Sequence, residues 1–406
     1  MFAHLHVHSH FSLLESSIRI DELVRAASAL RMKALALTDK YVMSGAVEFY
    51  RQAKAAGIKP ITGCEVCLFE ENTLSHLILL VKNKKGYENL CRLISKSHTD
   101  PGNGAGSVTG NVTCSRIIPC TATSLPDTAT SVPGRIPSVR MEDIKNFSAG
   151  LVCLSGCSRG LLSLLLKARK IEEATRFACR LYDIFGNDFY IEIQRYRPSQ
   201  CNSQANASSG MLESLSHKLK IPTVATNNVH YLTGGDYDIY RYLAKIKLMG
   251  TRNDPTFATI ANNEHYLKPG REMSGMFCDT PAAVSNTLTI AEKCSFDFEA
   301  GKILLPRFEV PSGDSQEQYL KKLCNEGVRF RFGNSPGRNI TERLSKELSV
   351  IERTGFAGYF LVVADIAGFA CKNSIPICGK GSAAGSLVSY VLRISNVDPV
   401  ENNLYF

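Results

Sequence analysis

The chain has 406 residues, room for two or three domains, and its 44% apolar and 21% charged residues are the balance of a core-forming globular protein. Forty-seven basic against 38 acidic side chains leave a formal charge of +9, compatible with a polyanionic partner, and the 14 cysteines read as buried thiols or ligands. No apolar run reaches the roughly 18 residues of a membrane span, and no basic segment leads into an apolar one, so a membrane protein is argued against and the cytoplasm is expected.

Seven short aliphatic stretches read as strands, at 3–8, 33–39, 58–66, 76–82, 151–155, 189–194 and 222–229. Most are flat in polarity, as buried parallel strands are. Helical patterns lie between them, for example at 21–30, with Leu23, Val24 and Ala27 on one stripe, and at 46–56. The alternation predicts an α/β fold, either a β/α barrel or a doubly wound sheet, with functional residues at the carboxyl ends of strands. Residues 100–137, dense in Gly, Ser, Thr and Pro, read as a flexible insertion carrying Cys114 and Cys120. Beyond Tyr231 the pattern is mainly helical. An extended joint is expected at 303–311, followed by helices at 341–354 and 359–370 and a glycine-serine run at 379–386.

Four of the nine histidines fall in the first ten residues, MFAHLHVHSH. On a strand, His4, His6, His8 and His10 share one face, a spacing that offers imidazoles to one or two divalent ions. Glu65, His76, Cys157 and His230 stand where other predicted strands meet loops. This mixture of imidazole, thiolate and carboxylate suits zinc, manganese or iron better than calcium. Cys64 and Cys67 form a C-x-x-C without a second pair at zinc-finger distance, which argues against a zinc finger.

The segments HLHVHSHFSLLES, ALALTDKYVMSGAVEFY, AGIKPITGCEV, NKKGYENLCRLIS, LSGC and VATNNVHYL, in this order, resemble the PHP (polymerase and histidinol phosphatase) domain. The version they resemble opens the alpha subunit of bacterial DNA polymerase III, the C family of polymerases. The resemblance implies a distorted (β/α)7 barrel with a cluster of up to three metal ions. Its ligand positions fall on His6, His8, Glu15, Lys40, Glu65, His76, Cys157, Asn228 and His230. The family usually has His where Lys40 stands, Asp where Asn228 stands and Asp where Glu15 stands. An ammonium 4 Å from a divalent ion is repelled by about 8 kcal/mol at an effective dielectric near 20. A degenerate site with at most one or two ions, zinc or manganese, is therefore expected, with Lys40 paired to Glu65 or Glu15.

Near the carboxyl end, CGKGSAAGS leads into LVSYVL, a tight turn opening a helix. Its backbone N–H groups, aided by the helix N-terminus, make an anion-binding concavity to which Lys380 adds a charge and Ser382 a hydroxyl. The stretch from TGFAGYFLVVADIAGF to NLYF is similar to the opening of the polymerase palm in the same family, where this motif embraces the triphosphate of the incoming nucleotide. The resemblance thus assigns Lys380, Gly381 and Ser382 to nucleotide-phosphate binding. The family's magnesium-holding aspartates follow NLYF, and Asp365 and Asp398 are not paired as those are, so no polymerase activity is expected from these residues alone.

The resemblance implies a PHP barrel over 1–285, then a partial, mainly helical α+β palm region over 286–406. It implies template-directed DNA synthesis in a longer enzyme, with Mg2+, DNA primer-template, deoxynucleotides, and replisome subunits such as the sliding clamp and a proofreading exonuclease. Two other readings compete: a metal-dependent phosphoesterase or 3′-to-5′ exonuclease acting through the PHP site, and a scaffold without chemistry.

Overall fold

The computed structural model describes residues 1–70, 73–99, 136–197, 203–247, 262–299, 301, 305–311 and 313–406. Residues 100–135 of the expected insertion, with Cys114 and Cys120, lie outside the described residues. The chain divides into two compact units, Met1–Phe298 and Glu299–Phe406.

The first unit is built on a six-stranded sheet in sequence order, β1 (Ala34–Leu37), β2 (Lys59–Glu70), β3 (Thr73–Val81), β4 (Leu151–Leu154), β5 (Phe189–Gln194) and β6 (Thr223–Thr226). Pairs β1/β2, β4/β5 and β5/β6 are parallel, but β3 runs antiparallel to both its neighbours. The parallel direction that flat polarity suggested for most of the strands fails at β3 for a simple reason. The gap between Glu70 and Thr73 is too short for a crossover, which needs about a dozen residues, so β2 and β3 form a hairpin.

The stretch expected as a first strand is an extended segment that pairs with β1 on one side and with Val229, just beyond β6, on the other. The Ala36 and Thr38 N–H groups donate to the His4 and Val7 carbonyls, while Val229 N–H donates to His6 O and His8 N–H to Val229 O. One apolar cluster draws Ala3 and Leu5 from this segment, Ala36 from β1, Ile61 from β2, Ile78 and Leu80 from β3, Val152 and Leu154 from β4, Tyr190 from β5 and Val224 from β6. Burying each such aliphatic side chain is worth about 2 kcal/mol, so the cluster holds the strands in a ring around it. Glu65, His76 and Glu192 share strand faces with Ile61, Ile78 and Tyr190, so alternation stacks a polar layer on this apolar floor.

Helices α1 (Ile20–Ala29), α2 (Ala46–Ala55), α3 (Lys84–Thr99), α4 (Met141–Asn146), α5 (Leu161–Lys167), α6 (Ile171–Phe185), α7 (Ser203–Leu219), α8 (Tyr237–Lys247), α9 (Gly270–Met276) and α10 (Pro281–Lys293) complete the unit. On α1 the stripe Ile20, Leu23, Val24 and Ala27 is buried. The unit continues past the boundary expected at 285 because α10 packs on β6 and Phe296 stacks on Tyr87 at 4.7 Å.

The second unit holds α11 (Gln316–Phe332), α12 (Arg338–Thr354), α13 (Ala357–Lys372), a 3-10 turn (Gly381–Gly385) and α14 (Leu387–Val391), with no strand among its described residues. Ser315 caps α11, accepting from Gln318 N–H at 3.2 Å while the Gln318 side chain returns to the Ser315 N–H. Leu320, Cys324, Ile340, Leu344, Ile351, Leu361, Leu387 and Val391 form its core. No single described helix is long and apolar enough to cross a membrane.

Candidate metal centre and glycine-serine loop

The chain bends at His6, so the alternation expected to bring four histidines to one face is broken. His4 turns to the Lys268 carbonyl, 2.9 Å from its Nε2, and His10 is exposed. His6 and His8 instead converge with Glu65, all three buried, their ligand atoms within 4.8 Å of one another. His6 Nε2 lies 2.9 Å and His8 Nε2 3.6 Å from Glu65 Oε2, and His76 Nδ1 lies 2.9 Å from Glu65 Oε1. Glu65 stands in mid-strand rather than at a strand end, because the β2–β3 hairpin runs on past the rim. His76 joins it from the start of β3 only because that strand is antiparallel.

Two residues not singled out in the sequence hold these ligands. Glu192, on β5, accepts from His6 Nδ1 at 2.7 Å and is itself held by Gln194 Nε2 at 2.9 Å and by the Thr226 hydroxyl. Burial alone would lower the His6 pKa, but the carboxylates of Glu192 and Glu65 outweigh it and hold the imidazolium to about 9. Burial would likewise raise Glu65, yet the facing His76 and His6 hold it well below the usual carboxylate range. The only earlier sign of Glu192 was a single carboxylate inside an apolar strand, FYIEIQ. The second residue, Asp39, follows β1 and accepts from Ser9 N–H, Ser9 Oγ and Ser12 Oγ at 2.6–2.7 Å.

Because the one Ser12 hydroxyl proton goes to Asp39, Ser12 accepts from His8 Nδ1 at 3.0 Å. The His8 Nε2 lone pair then faces Asn228 Oδ1 at 3.0 Å and Glu65 Oε2. Three acceptors meeting at one point, those of the buried His8 and Glu65 and the half-buried Asn228, suit a cation. Among the described residues Glu192 Oε2 is also buried without a hydrogen-bond partner. The donor set therefore fits one divalent ion at His6, His8 and Glu65.

The remaining positions are arranged otherwise. His230 stacks on His8 at 4.5 Å with planes 7° apart, and its Nδ1 donates to the Glu15 carbonyl at 2.7 Å. Burial, with His8 and His265 beside it, keeps it neutral, well below its ordinary pKa. Cys157 is buried beyond β4, where burial, then the Glu65 and Glu192 charges, push its thiol up to about 12. The Glu15 carboxylate is engaged by ammonium groups: Lys40 Nζ at 2.9 Å and Lys247 Nζ, both on Oε1. Lys40, Lys247 and Arg159 overcome burial and hold Glu15 well below the carboxylate range. Lys247, on α8, gave no signal in the sequence beyond its charge.

In the second unit Lys380, Gly381 and Ser382 are exposed on the 3-10 turn, with Gly381 at φ +67°, a conformation that favours glycine. The helix N-terminus expected to assist them is already filled. Glu347, fully buried on α12, accepts from Leu387 N–H at 3.0 Å, Val388 N–H at 3.1 Å and Ser386 Oγ at 2.9 Å. Asp398 is structural, its Oδ1 accepting from Val400 N–H at 2.8 Å, and Asp365 is exposed.

Residues 4–196, which carry β1 to β5 and the histidine-carboxylate cluster, match the PHP domain. Residues 318–406 match the bacterial DNA polymerase III alpha NTPase domain. Aligned along its whole length, the chain is 34% identical over 419 residues to the DNA polymerase III subunit alpha of Borreliella burgdorferi, of which it covers 33%. It is 33% identical over 410 residues to that of Bacillus subtilis, again covering 33%, and 36% identical over 409 residues to an error-prone DNA polymerase of Symbiobacterium thermophilum, covering 35%. The chain is similar along its whole length to DNA polymerase III alpha subunits, and it spans about a third of the length of the curated relatives it matches.

Proposed function

We propose that this chain is the amino-terminal portion of a replicative DNA polymerase III alpha subunit whose barrel rim serves as a one-metal structural centre. The reading is supported above all by the engagement of Glu15 with Lys40 and Lys247, which puts two ammonium groups where a further ion would need its ligands. His6, His8 and Glu65 hold the ion, Glu192 orients His6, and Asp39 acting through Ser12 orients His8. A bound zinc or manganese ion supplies Lewis acidity and could activate water, but phosphodiester hydrolysis of the two-metal kind needs a second ion. Metal analysis of the purified chain is the test. One ion per chain and no nucleotide release from labelled single-stranded DNA with manganese is the expected result, and three tightly held ions would overturn the reading.

In the longer enzyme the activity is template-directed DNA synthesis in the cytoplasm, with magnesium, primer-template, deoxynucleotides, a sliding clamp and a proofreading subunit as partners. The family match over 318–406 supports assigning Lys380, Gly381 and Ser382 to the incoming triphosphate. Residues 1–406 alone are inactive in synthesis on this reading. The second reading, a phosphoesterase or 3′-to-5′ exonuclease, draws on the convergence of His6, His8 and Glu65. Metal-dependent nucleotide release abolished by His8→Ala would establish it in place of the first.

A further inference from the structure

Glu347 occupies a core position of α12: with Ile340, Leu344 and Ile351 it forms the buried stripe of that helix. A carboxylate there must be fully paired, and it is. Oε1 accepts from Arg343 Nε at 2.6 Å and Leu387 N–H, and Oε2 accepts from Ser386 Oγ and Val388 N–H. The same Arg343 reaches forward, its Nη2 donating to the Gly385 carbonyl at 2.9 Å and the Leu404 carbonyl at 3.0 Å. Gly385 closes against this segment so tightly that a Cβ would stand 2.0 Å from the Tyr405 carbonyl oxygen. Gly385, Ser386, Leu387 and Val388, on the α14 side of the glycine-serine turn, are thus all bonded to one ion pair on α12.

We propose that Glu347 is a positioning residue for the phosphate loop. It is a built-in anion that takes the backbone donors at the start of α14 and so holds the turn in its binding shape before any ligand arrives. The inference rests on the reading of Lys380–Ser382 as phosphate-binding. It assigns recognition of a polyphosphate to the exposed turn 380–384 and denies it the Leu387 and Val388 N–H groups, which an incoming phosphate cannot reach without displacing a buried carboxylate. Arg343 balances the carboxylate charge, so the loop does not present a net negative field to a triphosphate.

The test uses the 406-residue chain with Glu347→Gln and, because that variant carries a fold risk, Arg343→Gln, with exposed Lys346→Gln as control. Amide hydrogen exchange is followed by NMR, with and without inorganic tripolyphosphate. In each clamp variant, exchange over 381–388 should quicken by about tenfold or more while α11 stays protected. Tripolyphosphate should shift the amides of 380–384 and not those of Leu387 and Val388, with several-fold weaker binding in the clamp variants. The control should match the parent chain. Unchanged exchange at 381–388, or a loss of protection spread evenly over α11 to α14, overturns the proposal, as do ligand shifts centred on Leu387 and Val388. If tripolyphosphate binds none of these proteins, the phosphate reading of the loop fails, and the exchange pattern still decides the clamp.

Discussion

Lys40 Nζ sits 2.9 Å from Glu15 Oε1 in the first unit, an ion pair with side chains only 5% and 12% exposed. A carboxylate in such a place would serve as a ligand had an imidazole stood at position 40. Lys40→His restores that imidazole and removes a positive charge. The bound metal measured by mass spectrometry should rise from one ion per chain towards two. Unchanged stoichiometry would show that Lys40 is not what limits the site.

On the one-metal reading Glu192 acts on the ion through His6, and Glu192→Gln keeps the size while removing the charge. Loss of such an orienting carboxylate typically costs about 10–100-fold in metal affinity. Titration calorimetry with manganese should show a loss in that range, with His6 and His8 still in place.

Six of the seven expected strand positions are strands of the sheet, legible because they are largely aliphatic, while 3–8 is an extended segment held by isolated bridges, and the helical stripe of α1 was equally plain. What the sequence did not display was strand direction at β3 and the bend at His6, since both depend on a two-residue connection and on long-range pairing rather than on composition. The ligand residues were visible as types at intervals. Glu192 and Glu347 were not, because a lone acid within an apolar strand or helix stripe declares its partner only when distant segments pack. The free helix N-terminus expected at the glycine-serine loop was likewise wrong for a reason outside the loop itself, the carboxylate arriving from α12.

His4 is wholly buried, and burial is the main cause of its fall from 6.5 to about 4. Between these values the unfolded chain takes up a proton that the folded chain refuses, so stability must drop as pH falls from 6.5 towards 4. The difference amounts to about 3 kcal/mol at full development. Urea denaturation at pH 7 and pH 4.5 should show this acid sensitivity in the parent chain and a shallower dependence in His4→Gln.

Gly86 lies in α3, where replacing glycine by alanine ordinarily gains about 1 kcal/mol. Here a Cβ would stand 1.9 Å from the Gly150 carbonyl oxygen, which is backbone and cannot swing away. Gly86→Ala should therefore destabilise the chain by about 1–3 kcal/mol, measured as a lower urea midpoint with an unchanged slope.

The segment that carries His6 and His8 also joins β1 to the stretch just beyond β6, through Ala36 and Thr38 on one side and Val229 on the other. During synthesis these residues precede their second neighbour by more than 200 positions. The seam must wait, with its imidazoles uncommitted, for almost the entire barrel to be synthesised. A cation captured by those early histidines would thus arrive before its carboxylate, and completion of the ring, rather than collapse of any helix, becomes the step at which metal loading and folding are joined.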